Sequence, residues 1–155
     1  MRTMAGLAVL LIAAACTSSN GNQVSQNAAH IPQPEITIVS RTDMTNVPTV
    51  ASGITVHFEF RIVNQAEVPI TLKRIDLDSL GGGSIAIQAK NRPFNLVIQP
   101  HTAQSADFVT NAYVNDPNTY SGRSPVQIRA VALFDSPEGS LQKVVQQQVR
   151  PEGSD

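Results

Sequence analysis

Residues 54–62 read Ile54-Thr55-Val56-His57-Phe58-Glu59-Phe60-Arg61-Ile62, with a large apolar side chain at every even position and a polar one at every odd position between. Successive side chains on a strand point to opposite faces, so this alternation of period two predicts a half-buried β-strand and excludes a helix. One face of the sheet holds Phe58 and Phe60, the other His57, Glu59 and Arg61.

Working outward, the same signature recurs at short spacing. Ile36-Thr37-Ile38-Val39 precedes a loop containing Pro48. Ile70-Thr71-Leu72 changes phase before Ile75 and Leu77, which predicts a bulge near Lys73-Arg74. Ile85-Ala86-Ile87 is short; Phe94, Leu96 and Ile98 alternate until Pro100; Ala106 to Thr110 follows. Val126 to Phe134 and Leu141 to Val149 flank Ser136-Pro137-Glu138-Gly139-Ser140, a turn cluster that predicts a C-terminal hairpin. No window has helical periodicity. Seven to eight short strands punctuated by Pro, Gly and Asn predict an all-β, immunoglobulin-like sandwich over residues 34–150, with a tail at 151–155. The Cys…Trp…Cys core of antibody domains is absent, since the chain has 1 Cys and no Trp.

Upstream of residue 34 the composition changes twice. Met1-Arg2-Thr3 is short and basic, and Met4 to Ala15 is an unbroken apolar or small run. At 1.5 Å per residue that run spans roughly 18 Å as a helix, short of the ~30 Å hydrocarbon core. It therefore reads as a secretory signal over residues 1–15. Ile12-Ala13-Ala14-Ala15-Cys16 resembles the lipobox of bacterial lipoproteins, although Ala13 stands where that family usually has Leu. The resemblance implies cleavage before Cys16, lipidation of its thiol and new amino group, and attachment to the envelope. Thr17 is not the aspartate that retains many such proteins at the inner membrane, which favours the outer membrane, facing the periplasm. Residues 16–33 are rich in Ser, Asn, Gln and Gly and lack apolar periodicity; they read as a lipidated, disordered tether.

A second resemblance lies in the domain. Phe58-Glu59-Phe60-Arg61-Ile62-Val63-Asn64, a short turn, then Pro69-Ile70-Thr71-Leu72-Lys73-Arg74-Ile75 is similar to late-embryogenesis-abundant type 2 (WHy) domains, with Gln65 where those have Pro. It implies a non-enzymatic sandwich.

Charge and chemistry narrow the function classes. Loss of Arg2 leaves 10 basic against 12 acidic residues, so the mature chain carries about −2. Neither a basic patch nor aromatics interleaved with Lys or Arg is present, which argues against nucleic acid. Gly-x-Ser-x-Gly and His-Glu-x-x-His are absent, and His30, His57 and His101 are far apart in sequence. No catalytic, cofactor-binding or metal-ligating residue is assigned. The expectation is a non-catalytic, lipid-anchored envelope module with a protein partner. The alternative is a periplasmic glycan- or Ca²⁺-binding module. Its candidate residues are the Asp76/Asp78 pair, which shares one strand face, and loop 115–122 with Tyr113, Asn115, Asp116, Asn118 and Tyr120. A solvated strand end and a plain connection are the simpler readings of those two features. Gly81-Gly82-Gly83 lacks the Gly-Lys-Ser/Thr of a phosphate loop and reads as a connection. Gln146-Gln147-Gln148 reads as an outward polar strand face.

Overall fold

The alternating stretch forms the strand the sequence predicts, Ile54–Val63, with Val56, Phe58, Phe60 and Ile62 all within 1% of full burial. A computed structural model describes residues 31–42, 53–81, 85–114 and 125–149 of the chain. Among these residues there are eight strands and no helix: β1 (Glu35–Ser40), β2 (Ile54–Val63), β3 (Ile70–Ser79), β4 (Ile85–Ile87), β5 (Lys90–Ile98), β6 (Ala103–Val114), β7 (Val126–Ser136) and β8 (Gly139–Val149). They pair antiparallel in two four-stranded sheets, ordered β1-β2-β6-β4 and β5-β3-β7-β8. The fold is a β-sandwich, as the period-two patterning requires once two apolar faces must cover each other.

The core lies between the sheets. Phe58, Phe60 and Phe108 come from the first, and Ile70, Leu72, Ile75, Leu77 and Phe134 from the second. Phe60 and Phe108 meet with ring centroids 5.8 Å apart, tilted by 55°, a favourable edge-to-face approach. The predicted phase change in β3 is a register shift between Leu72 and Arg74 against both β5 and β7. It returns Ile75 and Leu77 to the core face. The C-terminal hairpin also forms, with Ser136 opposite Gly139.

Two strands extend beyond the sequence reading. β5 begins at Lys90 and runs through Pro93, which an edge strand tolerates because one side needs no backbone donor. β6 runs to Val114, so Tyr113 belongs to the strand. Packing starts before β1: Ile31, which the sequence reading left in the tether, is 4% exposed and part of the core cluster.

The first sheet's two outer edges are closed by side chains of the second. Gln147 of β8 turns inward, unlike its exposed neighbours Gln146 and Gln148. Its Oε1 accepts from Ile38 N at 3.1 Å and its Nε2 donates to Ile38 O at 2.6 Å, so one amide side chain stands in for a neighbouring strand along β1. On the opposite flank β4 pairs with β6 only over Ala112–Val114. Further along β6, Lys90 Nζ donates to Val109 O (2.9 Å) and Arg92 Nη1 to Asp107 O (2.7 Å). These bonds occupy edge carbonyls that would otherwise invite another chain.

The pairing registers define two poles. At the entry pole lie Ile31 to Glu35, turn 64–69 between β2 and β3, turn 99–102 between β5 and β6, and the β7–β8 turn. At the far pole β1 ends and β2 begins, β3 ends and β4 begins, β6 ends and β7 begins, and β8 ends.

Candidate functional site

A surface groove of about 470 Å³ lies on the outer face of the second sheet, lined by Arg74, Asp76, Asp78, Lys90, Asn91 and Arg129 among others. Its geometry follows from the ladder. Once the bulge has put Ile75 and Leu77 inward, Arg74, Asp76 and Asp78 must face out. Pairing then sets Asn91 of β5 opposite Asp76, and Arg129 of β7 opposite Asp78. The two aspartates singled out in sequence thus share one face. The residues around them come from strands distant in sequence, which no local motif signals.

The two carboxylates differ. Arg74 Nη2 donates to Asp76 Oδ2 at 3.1 Å, while its Nε lies 2.9 Å from Oδ1, close enough for attraction without an aligned hydrogen bond. Asp78 Oδ1 is shielded from solvent and meets no donor among the described residues. Carboxylate oxygens shielded in this way ordinarily hold a hydrogen bond. Arg129, opposite, is exposed. Beside it, Val131 gives the groove a partly apolar wall.

This set fits hydroxyl or amide groups better than Ca²⁺. A calcium ion takes six to eight oxygens, whereas here one guanidinium is paired with Asp76 and another stands opposite Asp78. Among the described residues no group of three or more His, Cys, Asp or Glu comes together.

A second polar cluster lies on the outer face of the first sheet. Ser105 Oγ donates to Glu59 Oε1 at 2.6 Å, and the Arg41 guanidinium pairs with Oε2, through Nε at 2.8 Å and through Nη2. The hydrogen bond from Ser105, then that from Arg41, holds the Glu59 carboxyl below its ordinary range. The cluster is on a flat exposed strand face, and we read it as surface pairing.

The remaining predicted positions are dispersed. Tyr113 is 40% exposed, opposite Ala86. Asn115, Asp116, Asn118 and Tyr120, and Cys16 with the whole leader, lie outside the described residues. His57 is on the outer face of β2. His101 occupies a turn with φ 54°, its Nε2 3.1 Å from Glu67 Oε2. Sequence reasoning missed Asn64, which is 1% exposed. Its Nδ2 donates to Val68 O (2.9 Å) and Ile98 O (3.1 Å), and its Oδ1 accepts from Ala66 N (2.9 Å).

No family model matches the chain, and no curated protein matches it. Solved structures do. A structural-genomics target, SoR45, superposes with a TM-score of 0.51 at 11% identity, over 77% of this chain and 88% of that one. A protein from Archaeoglobus fulgidus gives 0.47 at 8% identity, over 75% and 94%. A protein described as late embryogenesis abundant gives 0.48 at 16% identity, over 84% and 78%. At these identities the chain shares a fold with the first of them.

Proposed function

We propose that this chain is a non-catalytic, lipid-anchored envelope module, held at a membrane through Cys16 and carrying its sandwich as an interaction surface. The observation that carries the reading is the basic start, the short apolar run and the sole cysteine placed directly after Ala13-Ala14-Ala15. The described residues begin at Ile31, which belongs to the core, and residues 17–30 lie in sequence between it and the acylation site. The attachment would reach the sandwich at its entry pole. In the lipoprotein pattern Thr17 favours the outer membrane. The non-catalytic reading is supported by the dispersal of the histidines, with His57 on an outer strand face and His101 in an exposed turn.

Fractionation of cells expressing the full chain tests this. The wild-type protein should sediment with membranes, and Cys16→Ala should shift it to the soluble periplasmic fraction. Membrane attachment that survives Cys16→Ala would remove the anchor.

A second reading, a glycan-binding role, is favoured by the groove. Asp78 Oδ1 could accept from a sugar hydroxyl, Arg129 and Asn91 could donate, and Val131 could meet the apolar face of a ring. Calorimetric titration with soluble oligosaccharides should give heat that Asp78→Ala abolishes and CaCl₂ does not mimic. Heat from CaCl₂ alone would favour the metal instead.

A further inference from the structure

We propose that the groove on the second sheet takes an N-acetylated amino sugar, with Asp78 and Arg129 holding the two polar ends of its acetamide. The inference rests on the glycan-binding reading and names the class of sugar. It starts from which groups in the groove are already committed. Arg74 is held by Asp76, with Nη2 donating to Oδ2 at 3.1 Å. Lys90 Nζ donates to Val109 O at 2.9 Å and so is drawn toward the first sheet. One carboxylate, one guanidinium and one amide are left. Among the described residues, the side chains of Asp78, Arg129 and Asn91 make no hydrogen bond or ion pair.

Asp78 and Arg129 stand directly opposite each other on β3 and β7, so their side chains share the outer face. Opposite charges so placed attract, yet these two do not close on each other, and one Asp78 oxygen is shielded from water without a donor. A shielded acceptor with no partner carries a desolvation cost that a bound donor recovers. The terminal torsion of an aspartate is soft, so either oxygen can turn to the groove.

A neutral amide answers both groups at once: its N–H donates to Asp78 and its carbonyl accepts from Arg129. A lone ammonium would meet Arg129 as a like charge, and a lone carboxylate would meet Asp78 as one. Val131 lies two residues along β7 from Arg129 on the same face, where it receives the acetyl methyl. Asn91, opposite Asp76 on the other side of β3, both donates and accepts, which suits the ring hydroxyl beside the acetamide. A sugar fits this face better than an extended peptide. β3 and β7 are the inner strands of the order β5-β3-β7-β8, and a peptide adds as a strand only at an outer edge. The groove's volume, about 470 Å³, is in the usual range of small-ligand sites.

Calorimetric titration of the full-length protein, purified in a detergent without a sugar headgroup, tests this with three probes. Chitotetraose and cellotetraose share one backbone linkage and differ in the acetamide that replaces a ring hydroxyl. N-acetylalanine amide carries amides without a sugar ring. Chitotetraose should bind about tenfold more tightly than cellotetraose, the worth of one hydrogen bond to a charged group. Asp78→Asn and Arg129→Gln should each erase that preference, with circular dichroism showing that the strands are kept. The wild-type preference decides alone if a variant fails to fold. Equal binding of the two tetrasaccharides would overturn the acetamide assignment and leave the glycan reading standing. Binding of N-acetylalanine amide as tight as that of chitotetraose would overturn the sugar. Absence of heat from both tetrasaccharides would remove the glycan reading and the inference together.

Discussion

The two poles of the sandwich are built in different ways. At the entry pole the connections are short and tied to buried groups. Asn64 alone bonds Val68 O, Ile98 O and Ala66 N, joining the end of β2 to its own turn and to the end of β5. Thr102 closes the neighbouring turn through N and Oγ1, both on Gln99 O at 3.2 and 2.9 Å. At the far pole the connections between β1 and β2 and between β6 and β7 are longer, and several hydroxyls share the bonding: Ser79 Oγ accepts from Ile87 N at 3.0 Å, and Thr110 Oγ1 donates to Gln88 O at 2.8 Å. Gly53, with φ 56°, brings its Cα so near β6 that an added Cβ would stand 2.5 Å from Ala112 O. A sandwich can thus fix one end through a single buried amide that makes three bonds, and the other through scattered hydroxyl bonds and a close backbone approach.

Substitutions can break that contrast, and the largest effect should come from the strand common to both ends. Phe60→Ala removes a fully buried ring packed on Phe108 and should cost about 3–5 kcal/mol in urea unfolding, with little selectivity between poles. Asn64→Ala removes the partner of three backbone groups, two of them buried, and should cost about 3 kcal/mol. Hydrogen exchange then sharpens the comparison: the Ala66 amide should lose protection while Gln88, bonded to Asn111 O at 2.8 Å, keeps it. Gly53→Ala should cost about 2 kcal/mol through left-handed backbone and the clash with Ala112, and should spare Ala66.

The smallest effect belongs to neither pole. Glu59, between them, has its pKa lowered in the folded protein below the ordinary 4.5. Its contribution is therefore present above about pH 4.5 and lost as pH falls through the depressed folded value. Glu59→Gln should therefore lower stability slightly near pH 7, leave it unchanged at pH values below the depressed folded pKa, and so flatten the acid limb of a stability–pH curve. An equal acid limb in both proteins would show that the Ser105 and Arg41 bonds do not couple to folding.

Much of the fold was legible because its information is local. The alternation from Ile54 to Ile62 gave strand and face together, and the phase change after Leu72 gave the bulge. Ser136 to Ser140 gave the hairpin. What was hidden depends on contacts across the sandwich. Gln147 looks like any residue of a polar run until β1 is known to lie beside β8. Ile31 looks like tether until the core reveals a place for it. The Asn64 side chain serves a turn that only the pairing of β3 with β5 completes. The groove was half legible: Asp76 and Asp78 are visible as a pair, but Asn91 and Arg129 arrive through strand order alone.

In the proposed function Cys16 is the acylated first residue of the mature protein, and the sandwich hangs from it by its entry pole. Intact mass and N-terminal peptide mass spectrometry of the membrane-extracted protein test it most directly. The expected species is a chain beginning at Cys16 and heavier by a diacylglyceryl group, with or without a third acyl chain. A mature chain that retains residues before Cys16, or that carries an unmodified Cys16 thiol, would contradict it.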